Sequence, residues 1–257
     1  MIVELAAGAN GTTLGRDDLA RLYDRPRTGS VPEGADSGAA QPWIRVNFVS
    51  SLDGSATGSD GVSGSLSSPS DRQVFDTLRC LTDAVLVAAG TVRAEGYVGP
   101  LVDAAQQDWR RAHGRTRHPG FLIVSRRLDI DPATLEASPV RPVIVTTRSA
   151  PPEAVRRLEG LATIARCGND DVDIAEMRAW MGEHGYRDVL CEGGPSLLGA
   201  LVAADGLDEL CLTLASELVG GDGPRIAHGT AATRDMSLAR VLRGDTGDLH
   251  LRYLRAR

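Results

Sequence analysis

The chain has 257 residues, of which 42% are hydrophobic and 24% are charged, and its net charge is −6 at pH 7. This composition is typical of one or two globular α/β domains, and the negative charge argues against a nucleic-acid or anionic-membrane surface, since both require a basic face. No apolar run approaches the roughly 20 residues of a transmembrane helix, and the N-terminus lacks the features of a signal peptide, so we expect a cytoplasmic protein.

The first 41 residues are predicted to form an N-terminal extension and linker, followed by a single domain over residues 42–257. Within the extension, LGRDDLARLYD at 14–24 is compatible with a short helix. The segment PRTGSVPEGADSGAAQP at 26–42 has the Pro/Gly/Ser composition of a linker. We therefore place the start of the folded domain at the β-rich run that begins with Trp43.

Strand-like and helix-like segments alternate through the domain. The helix predicted over 68–81 has the clearest start, with Ser68 as its N-cap, Pro69 at its first position and Asp71 closing a box-like cap. Further strands are predicted at 43–50, 83–90, 120–125, 141–147, 161–166, 186–194, 208–221 and 248–256, and further helices at 103–114, 173–185 and 195–204.

Short apolar strands that alternate with helices indicate an α/β fold with helices on both faces of the sheet. No helix is predicted between the last two strands. The expected sheet is therefore mixed and mostly parallel, with antiparallel strands at one edge.

Three strand ends could carry chemistry, since ligands of open α/β sheets bind at the carboxyl ends of strands. The first is the Ser/Gly-rich loop 50–70, which is either a surface linker or a mobile loop over a ligand. In this loop Asp53 could orient a substrate nitrogen or serve as a turn residue. The second is the strand that ends in Gly90 and Thr91.

The third strand end is CEGGPSLLGA at 191–200, where Pro195 starts a helix whose N-terminus suits a pyrophosphate. An ordinary strand-to-helix turn is an equal alternative, and Glu192 could cap that turn or touch a ligand. Ser125 and Arg126 follow another strand. Arg126 and Arg127 could hold the 2′-phosphate of NADP, although a solvated surface pair is the simpler interpretation.

Neither the cysteines nor the histidines have metal-ligand spacing, so no metal site is expected. Cys80, Cys167, Cys191 and Cys211 are far apart, and we interpret them as reduced core residues.

Five motifs in this order resemble the riboflavin-pathway pyrimidine reductases, which occur alone or as the C-terminal half of deaminase-reductases. The motifs are S-L-D-G at Ser51–Gly54, S-P-x-x-R…L-R at Ser68–Arg79, D-A-x-x-V…G-T-V at Asp83–Val92, E-G-G-P at Glu192–Pro195 and L-x-D-E-L at Leu207–Leu210. The resemblance covers about residues 43 to 225. The H-x-E and P-C-x-x-C motifs of the zinc deaminase are missing, so we expect a stand-alone reductase.

The resemblance implies a dihydrofolate-reductase-like fold, NADPH as cofactor, a small heterocyclic substrate and a homodimer. Hydride would pass from the nicotinamide to the ribose carbon of a ribosylaminopyrimidine phosphate. The resemblance implies that Ser63, Arg79 and Glu192 face the substrate. We predict a substrate contact for Asn47 as well, and catalytic roles for Asp53 and Glu192. The resemblance also implies that Thr91 and the turn and helix at Gly194–Ala200, including Pro195, Ser196 and Leu197, contact the cofactor. We predict further cofactor contacts for Glu95 and Gly193, beside those considered above for Ser125 and Arg126.

Several positions depart from the family pattern. Asn47 replaces a frequent lysine, Ser65 lies where a tryptophan is common, and Glu95-Gly96-Tyr97 replaces Asp-Asp-Pro. The arginine that helps bind the substrate phosphate is missing from EGYVGPLVDAA, and Arg110 or Arg111 could replace it. Two alternatives therefore stay open: a reductase of dihydrofolate, with Asp53 holding the pterin, and a non-catalytic NADP-binding protein.

Overall fold

A ten-stranded sheet forms the centre of the computed structural model, which describes residues 1–5, 13–26 and 41–256. Its strands are β1 (Ile2–Glu4), β2 (Trp43–Ser50), β3 (Ala84–Ala88), β4 (Gly120–Val124), β5 (Val143–Thr146), β6 (Thr163–Arg166), β7 (Asp188–Cys191), β8 (Glu209–Leu214), β9 (Met236–Gly244) and β10 (Leu249–Arg255). The helices are α1 (Arg16–Leu22), α2 (Pro69–Leu81), α3 (Ala89–Glu95), α4 (Ala104–Ala112), α5 (Pro132–Glu136), α6 (Pro152–Glu159), α7 (Ile174–Glu183) and α8 (Pro195–Ala203), with a short 3₁₀ helix at Ser63–Leu66.

The strand order is β1-β9-β10-β8-β2-β7-β3-β4-β5-β6. All pairs from β8 to β6 are parallel, whereas β8 pairs antiparallel with β10, β10 with β9, and β9 with β1. The predicted mixed, mostly parallel sheet with antiparallel strands at one edge is therefore confirmed. The crossover helices follow from the parallel part, because parallel neighbours need a connection that returns over the sheet.

The central strands are apolar on both faces because helices cover both faces. In β3, Ala84 and Leu86 pack in the core under α7 and α8, while Val85 and Val87 face the opposite side. Val87 joins a second cluster with residues of α3, α5 and α6. Alternation along one strand thus sends side chains to two separate apolar cores, as expected for a buried parallel sheet.

Helix α2 forms where its capping residues predict it. The Ser68 hydroxyl accepts a hydrogen bond from the backbone N–H of Asp71 at 3.0 Å, and Pro69 occupies the first helical position. The Asp71 carboxylate accepts from the Ser67 hydroxyl at 2.6 Å, so this side chain is directed into the wall beside the helix start.

The described parts of the extension pack on the domain. β1 adds to the edge of the sheet through β9, and Leu19 and Tyr23 of the α1 region are buried against α2. Two buried arginines of the sheet, Arg45 and Arg252, share the Glu209 carboxylate and also donate to backbone carbonyls at the end of α1. The predicted linker lies mostly outside the described residues.

The structure differs from the sequence prediction at several elements. The strand predicted at 208–221 ends at Leu214, and β1, α3, α5 and α6 were not predicted. The third strand ends at Ala88, so Gly90 and Thr91 lie in the first turn of α3 rather than at the strand end. β9 was not predicted, because most of its residues are exposed and its pattern lacks a buried face. No described helix is long and apolar enough to cross a membrane, and the four cysteines are buried and unpaired.

Candidate active site

A cleft of about 550 Å³ opens at the carboxyl ends of β2, β3 and β7. Its walls come from α2 on one side and from α3 and the start of α8 on the other, with the loop 51–67 above them. Nine of the residues predicted for the site line this cleft: Asn47, Ser63, Arg79, Thr91, Glu95, Glu192, Gly193, Gly194 and Pro195. The topology thus brings together segments that are more than a hundred residues apart in the chain.

A charged network joins the two walls of the cleft. Arg79 of α2 donates to Glu192 in a bidentate pair, with Nε–Oε1 at 2.6 Å and a second contact to Oε2 at 2.7 Å. The Tyr97 hydroxyl donates to the same Oε2 at 2.8 Å, and Arg79 also donates to the Leu101 carbonyl at 2.7 Å. The Glu192 side chain is only 1% exposed, compared with 14% for Arg79.

The electrostatics keep Arg79 charged and Tyr97 protonated. Burial opposes the charge of Arg79, but the Glu192 carboxylate holds the pKa of Arg79 above its usual range. Burial and the same carboxylate raise the pKa of Tyr97, so its hydroxyl stays protonated and donates. Charge-assisted bidentate pairs fix geometry as well as energy, and Glu192 is therefore held in one position at the floor of the cleft.

The turn between β7 and α8 allows close approach to the opposite wall. Gly193 has φ +105°, and a Cβ at Gly194 would lie 2.8 Å from the Thr91 hydroxyl. The Gly193–Gly194 peptide bond is cis. Gly194 is the N-cap of α8 and has no side-chain cap, so the N-terminal end of this helix faces the cleft without a covering side chain. These features suit an anionic group of a ligand.

The Ser/Gly-rich loop follows a defined path over the cleft. Its Ala56 N–H donates to the Pro224 carbonyl at 2.7 Å, which ties it to the β8–β9 connection. The Ser63 hydroxyl donates to Glu95 of α3 at 2.8 Å. Ser63 and Glu95, which were predicted to touch substrate and cofactor respectively, therefore contact each other across the mouth of the cleft.

Asp53 does not line the cleft, and its predicted position there is wrong. Its exposed carboxylate accepts hydrogen bonds from the Ser51 hydroxyl and from the N–H groups of Val219 and Gly220. These donors lower the pKa of Asp53 to about 2. The side chain fixes the loop to the 219–220 turn, which is the turn-residue alternative considered from the sequence.

Four predicted cofactor residues also lie outside the cleft lining. Leu197 is buried in the core, Ser196 is exposed in the first turn of α8, and Ser125 is buried at the end of β4. Arg126 is exposed beside it and forms an ion pair with Asp171. Because β4 neighbours β3, Ser125 and Arg126 belong to the same edge of the sheet as the cleft but one strand further along.

Neither Arg110 nor Arg111 reaches the cleft. Arg110 is fully buried, and its guanidinium donates to the carbonyls of Arg79, Cys80 and Thr82 at the end of α2. Burial, with the positive charge of Arg115 nearby, lowers the pKa of Arg110 to about 10. This arginine closes a helix C-terminus, so it cannot replace the missing phosphate-binding residue.

The sequence interpretation did not select four side chains of the cleft wall: Asp71, Arg72, Phe75 and Tyr97. Asp71 is 5% exposed, and its Oδ1 has no hydrogen-bond partner among the described residues. Asp71, Arg72 and Phe75 follow one face of α2, so a helical plot anchored on Arg79 would have found them. Nothing local points to Tyr97, because its partner Glu192 is 95 residues away.

The model of the RibD C-terminal domain matches residues 42–249 of this chain. Two similar curated proteins are both named 2,5-diamino-6-ribosylamino-4(3H)-pyrimidinone 5′-phosphate reductase. The one from Archaeoglobus fulgidus is 25% identical over 205 residues, which are 79% of this chain and 94% of that protein. The one from Methanothermobacter thermautotrophicus is 27% identical over 191 residues, which are 72% and 82%.

The solved structures agree on the fold. A pyrimidine reductase-like protein from Corynebacterium diphtheriae has a TM-score of 0.75 at 22% identity, covering 84% of this chain and 92% of its own. Dihydrofolate reductase from Enterococcus faecalis has a TM-score of 0.51 at 12% identity, covering 84% and 98%. The predicted dihydrofolate-reductase-like fold is thus confirmed. With the family model spanning most of the chain, this protein belongs to the RibD C-terminal domain family, the reductases of riboflavin biosynthesis.

Proposed function

We propose that this chain is an NADPH-dependent reductase of a ribosylaminopyrimidine 5′-phosphate, in which hydride passes to the ribose carbon. The names of the archaeal relatives support this substrate class. The observation that carries the proposal is the buried Arg79–Glu192–Tyr97 network, which lies in one cleft with the glycine turn at the start of α8. In this proposal one half of the cleft holds the anionic cofactor and the other half holds the polar ring.

The cofactor half consists of Thr91, Gly193, Gly194 and Pro195. The glycine turn leaves room for a bound group beside the Thr91 hydroxyl, and the uncapped start of α8 favours the pyrophosphate of a dinucleotide. NADPH would supply the hydride, and the protein's part is placement. Ser125 and Arg126 are the candidates for the 2′-phosphate, for which Arg126 must exchange Asp171 for the phosphate.

The substrate half consists of Asn47, Arg79, Glu192 and Asp71. The partnerless Oδ1 of Asp71 is a buried acceptor in the wall, and a hydrogen-bond donor on a ligand would satisfy it. A 2-amino-pyrimidinone offers an amino group and a ring N–H on one edge, whereas a uracil presents a carbonyl oxygen at that position. We therefore favour the 2-amino substrate named for the archaeal relatives over the deaminated uracil.

Dihydrofolate is a second candidate substrate, and Asp71 is the observation that favours it. A pterin has the same 2-amino edge, so the buried carboxylate suits it as well. The role that we first assigned to Asp53 passes to Asp71, because Asp53 is exposed and bound to the 219–220 turn.

We also propose a homodimer in the cytoplasm, which light scattering and cell fractionation would test.

The test is NADPH consumption by the purified protein with the 2,5-diamino-pyrimidinone phosphate, its uracil counterpart and dihydrofolate offered separately. We expect turnover of the diamino compound, with slower turnover of the uracil. Turnover of dihydrofolate alone would replace the proposed substrate. Binding of NADPH without turnover of any of the three would favour the non-catalytic binding protein.

A further inference from the structure

The residue at position 97 is the only tyrosine in the described lining of the cleft. The Tyr97 hydroxyl donates to Oε2 of Glu192 at 2.8 Å. Its ring stacks on Phe121 with the ring centres 6.2 Å apart, and the guanidinium carbon of Arg79 lies 5.7 Å from the centre of the tyrosine ring. These contacts fix both the ring and its hydroxyl. A proline is common at this position in the family, so the hydroxyl is a departure from the family pattern.

Reduction of a ribosylamine requires a proton as well as a hydride. When the sugar ring opens, the lone pair of the nitrogen forms a C=N bond and the bond between the ribose carbon and the ring oxygen breaks. The ring oxygen takes up a proton and becomes an alcohol. Hydride then adds to the carbon of the iminium group, and the C=N electron pair returns to the nitrogen. The protein must therefore place a proton donor beside the ribose ring oxygen.

The acidic groups of the cleft differ in their ability to supply this proton. The lining formed by the described residues contains no histidine, lysine or cysteine. Both oxygens of Glu192 accept from Arg79, the Glu95 carboxylate is exposed at the mouth, and Asp71 is the proposed acceptor of the amino edge of the ring. Serine and threonine hydroxyls are no more acidic than the alcohol that forms. The phenol of Tyr97 is a much stronger acid than these, since the ordinary pKa of tyrosine is about 10.

We propose that Tyr97 is the general acid that protonates the ribose ring oxygen, an inference that rests on the proposed function. Its hydroxyl contacts Glu192, which directly precedes the Gly193–Gly194 turn of the cofactor half, so it lies at the boundary that the hydride must cross. Eight residues of α2, about 12 Å, separate Asp71 from Arg79. A ring whose amino edge contacts Asp71 therefore extends along this wall towards Tyr97.

The charges around Tyr97 suit a donor that keeps its proton until the sugar oxygen departs. Glu192 at the end of β7 and Glu95 of α3 favour the protonated phenol, whereas Arg79 of α2 favours the phenolate that forms on donation. An alkoxide is a much stronger base than a phenolate, so the proton transfers although burial opposes ionisation of the phenol. Water returns a proton to the phenolate when the product leaves the cleft, which completes the turnover.

The experiment compares the wild type, Tyr97→Phe and the control Tyr186→Phe, which removes the hydroxyl of a half-buried tyrosine outside the described lining of the cleft. Single-turnover rates are measured with the diamino-pyrimidinone phosphate and with NADPH or its C4-deuterated form. We expect Tyr97→Phe to lower the rate about 10²- to 10⁴-fold and to leave the Kd of NADPH, measured by fluorescence titration, unchanged. Tyr186→Phe should match the wild type in both measurements.

Two readouts separate proton donation from a loss of geometry. Without the acid, ring opening becomes slower than hydride transfer, so the deuterium isotope effect of Tyr97→Phe should fall towards one. Its rate should also rise as the pH is lowered, because hydronium then supplies the proton. A reduced rate whose isotope effect equals or exceeds that of the wild type would mean that Tyr97 only positions Glu192, and it would overturn the assignment.

Failure of the acid and failure of the proposed function give different results. Turnover of the pyrimidine phosphate by the wild type, together with an unimpaired Tyr97→Phe, would reject the acid and leave the proposed function standing. Wild-type protein that binds NADPH but turns over no ribosylaminopyrimidine phosphate would reject both, because the reaction that needs the proton would not occur.

Discussion

Replacing Glu192 with glutamine tests the charged network at the floor of the cleft. The substitution keeps the size of the side chain but removes its charge, and its amide N–H groups then point at Arg79 or Tyr97, which are also donors. Three hydrogen bonds of 2.6, 2.7 and 2.8 Å converge on this carboxylate. Glu192→Gln should therefore lower both the stability of the fold and the activity.

The expected loss of stability follows from the burial of the Arg79–Glu192 ion pair. Removing one partner of a buried ion pair costs about 3–5 kcal/mol, because the other charge is left uncompensated. Here Arg79 keeps 14% of its side chain exposed and retains the Leu101 carbonyl. We therefore expect Glu192→Gln to lower the free energy of unfolding by about 2–3 kcal/mol, at or just below the lower end of that range. Tyr97→Phe is the matched control, since it deletes one hydrogen bond and leaves the ion pair, at a cost of about 1 kcal/mol.

Urea unfolding of Glu192→Gln, Tyr97→Phe, Arg79→Gln and the Arg79→Gln/Glu192→Gln double variant provides the measurement. We expect Glu192→Gln to be less stable than Tyr97→Phe, and the double variant to lose less than the sum of its single changes. Glu192→Gln with the stability of the wild type, or strictly additive losses, would refute the account of the pair. The activity should be compared at a temperature where each variant is folded.

Three further predictions concern the glycine turn, the partnerless carboxylate and a buried histidine. Gly194→Ala should weaken NADPH binding at least tenfold, because the new Cβ would lie 2.8 Å from the Thr91 hydroxyl. Adding Thr91→Ala should recover part of the affinity, measured by fluorescence titration. Unchanged NADPH affinity in Gly194→Ala would contradict this geometry. Asp71→Asn should raise KM for a 2-amino substrate about 10- to 100-fold but not for the uracil, and equal effects on both would argue against a contact with the 2-amino edge. Burial lowers the pKa of His250, so below about pH 6.5 the unfolded chain binds a proton that the folded chain does not. The unfolding free energy should then fall as the pH is lowered from about 7 to 5, and His250→Gln should flatten this dependence.

Local sequence signals led to the prediction of α2 and β2, whereas α5 and α6 were not predicted although each begins with a proline. Helix α2 starts at Ser68 and Pro69 because a cap and a proline suffice to begin a helix, and β2 matches its apolar run at both ends. β9 has no such signal, since its exposed residues form a strand only by pairing with β10. Helix α3 was not predicted either, because the run of apolar residues continues from β3 into the helix without a break.

The residues of the candidate site were likewise predicted correctly where local sequence positions them, and incorrectly where distant contacts do. Glu192, Gly193 and Gly194 were predicted because the strand, turn and helix that position them are continuous in the chain. From the sequence, Asp53 was as good a candidate for the site as Glu192. Its carboxylate instead accepts from the N–H groups of the 219–220 turn, and no sequence pattern predicts that contact. The position of Arg110 likewise depends on the packing of α4 against the end of α2. Contacts between distant segments therefore decided which charged residues reach the cleft.

The most direct measurement is the fate of the hydride itself. The purified protein is incubated with NADPH deuterated at C4 of the nicotinamide and with the diamino-pyrimidinone phosphate, and the product is analysed by mass spectrometry and NMR. The account predicts a ribityl product that carries one deuterium on the former ribose carbon attached to nitrogen. Recovery of unreacted substrate, or a reduced product without deuterium at that carbon, would contradict it.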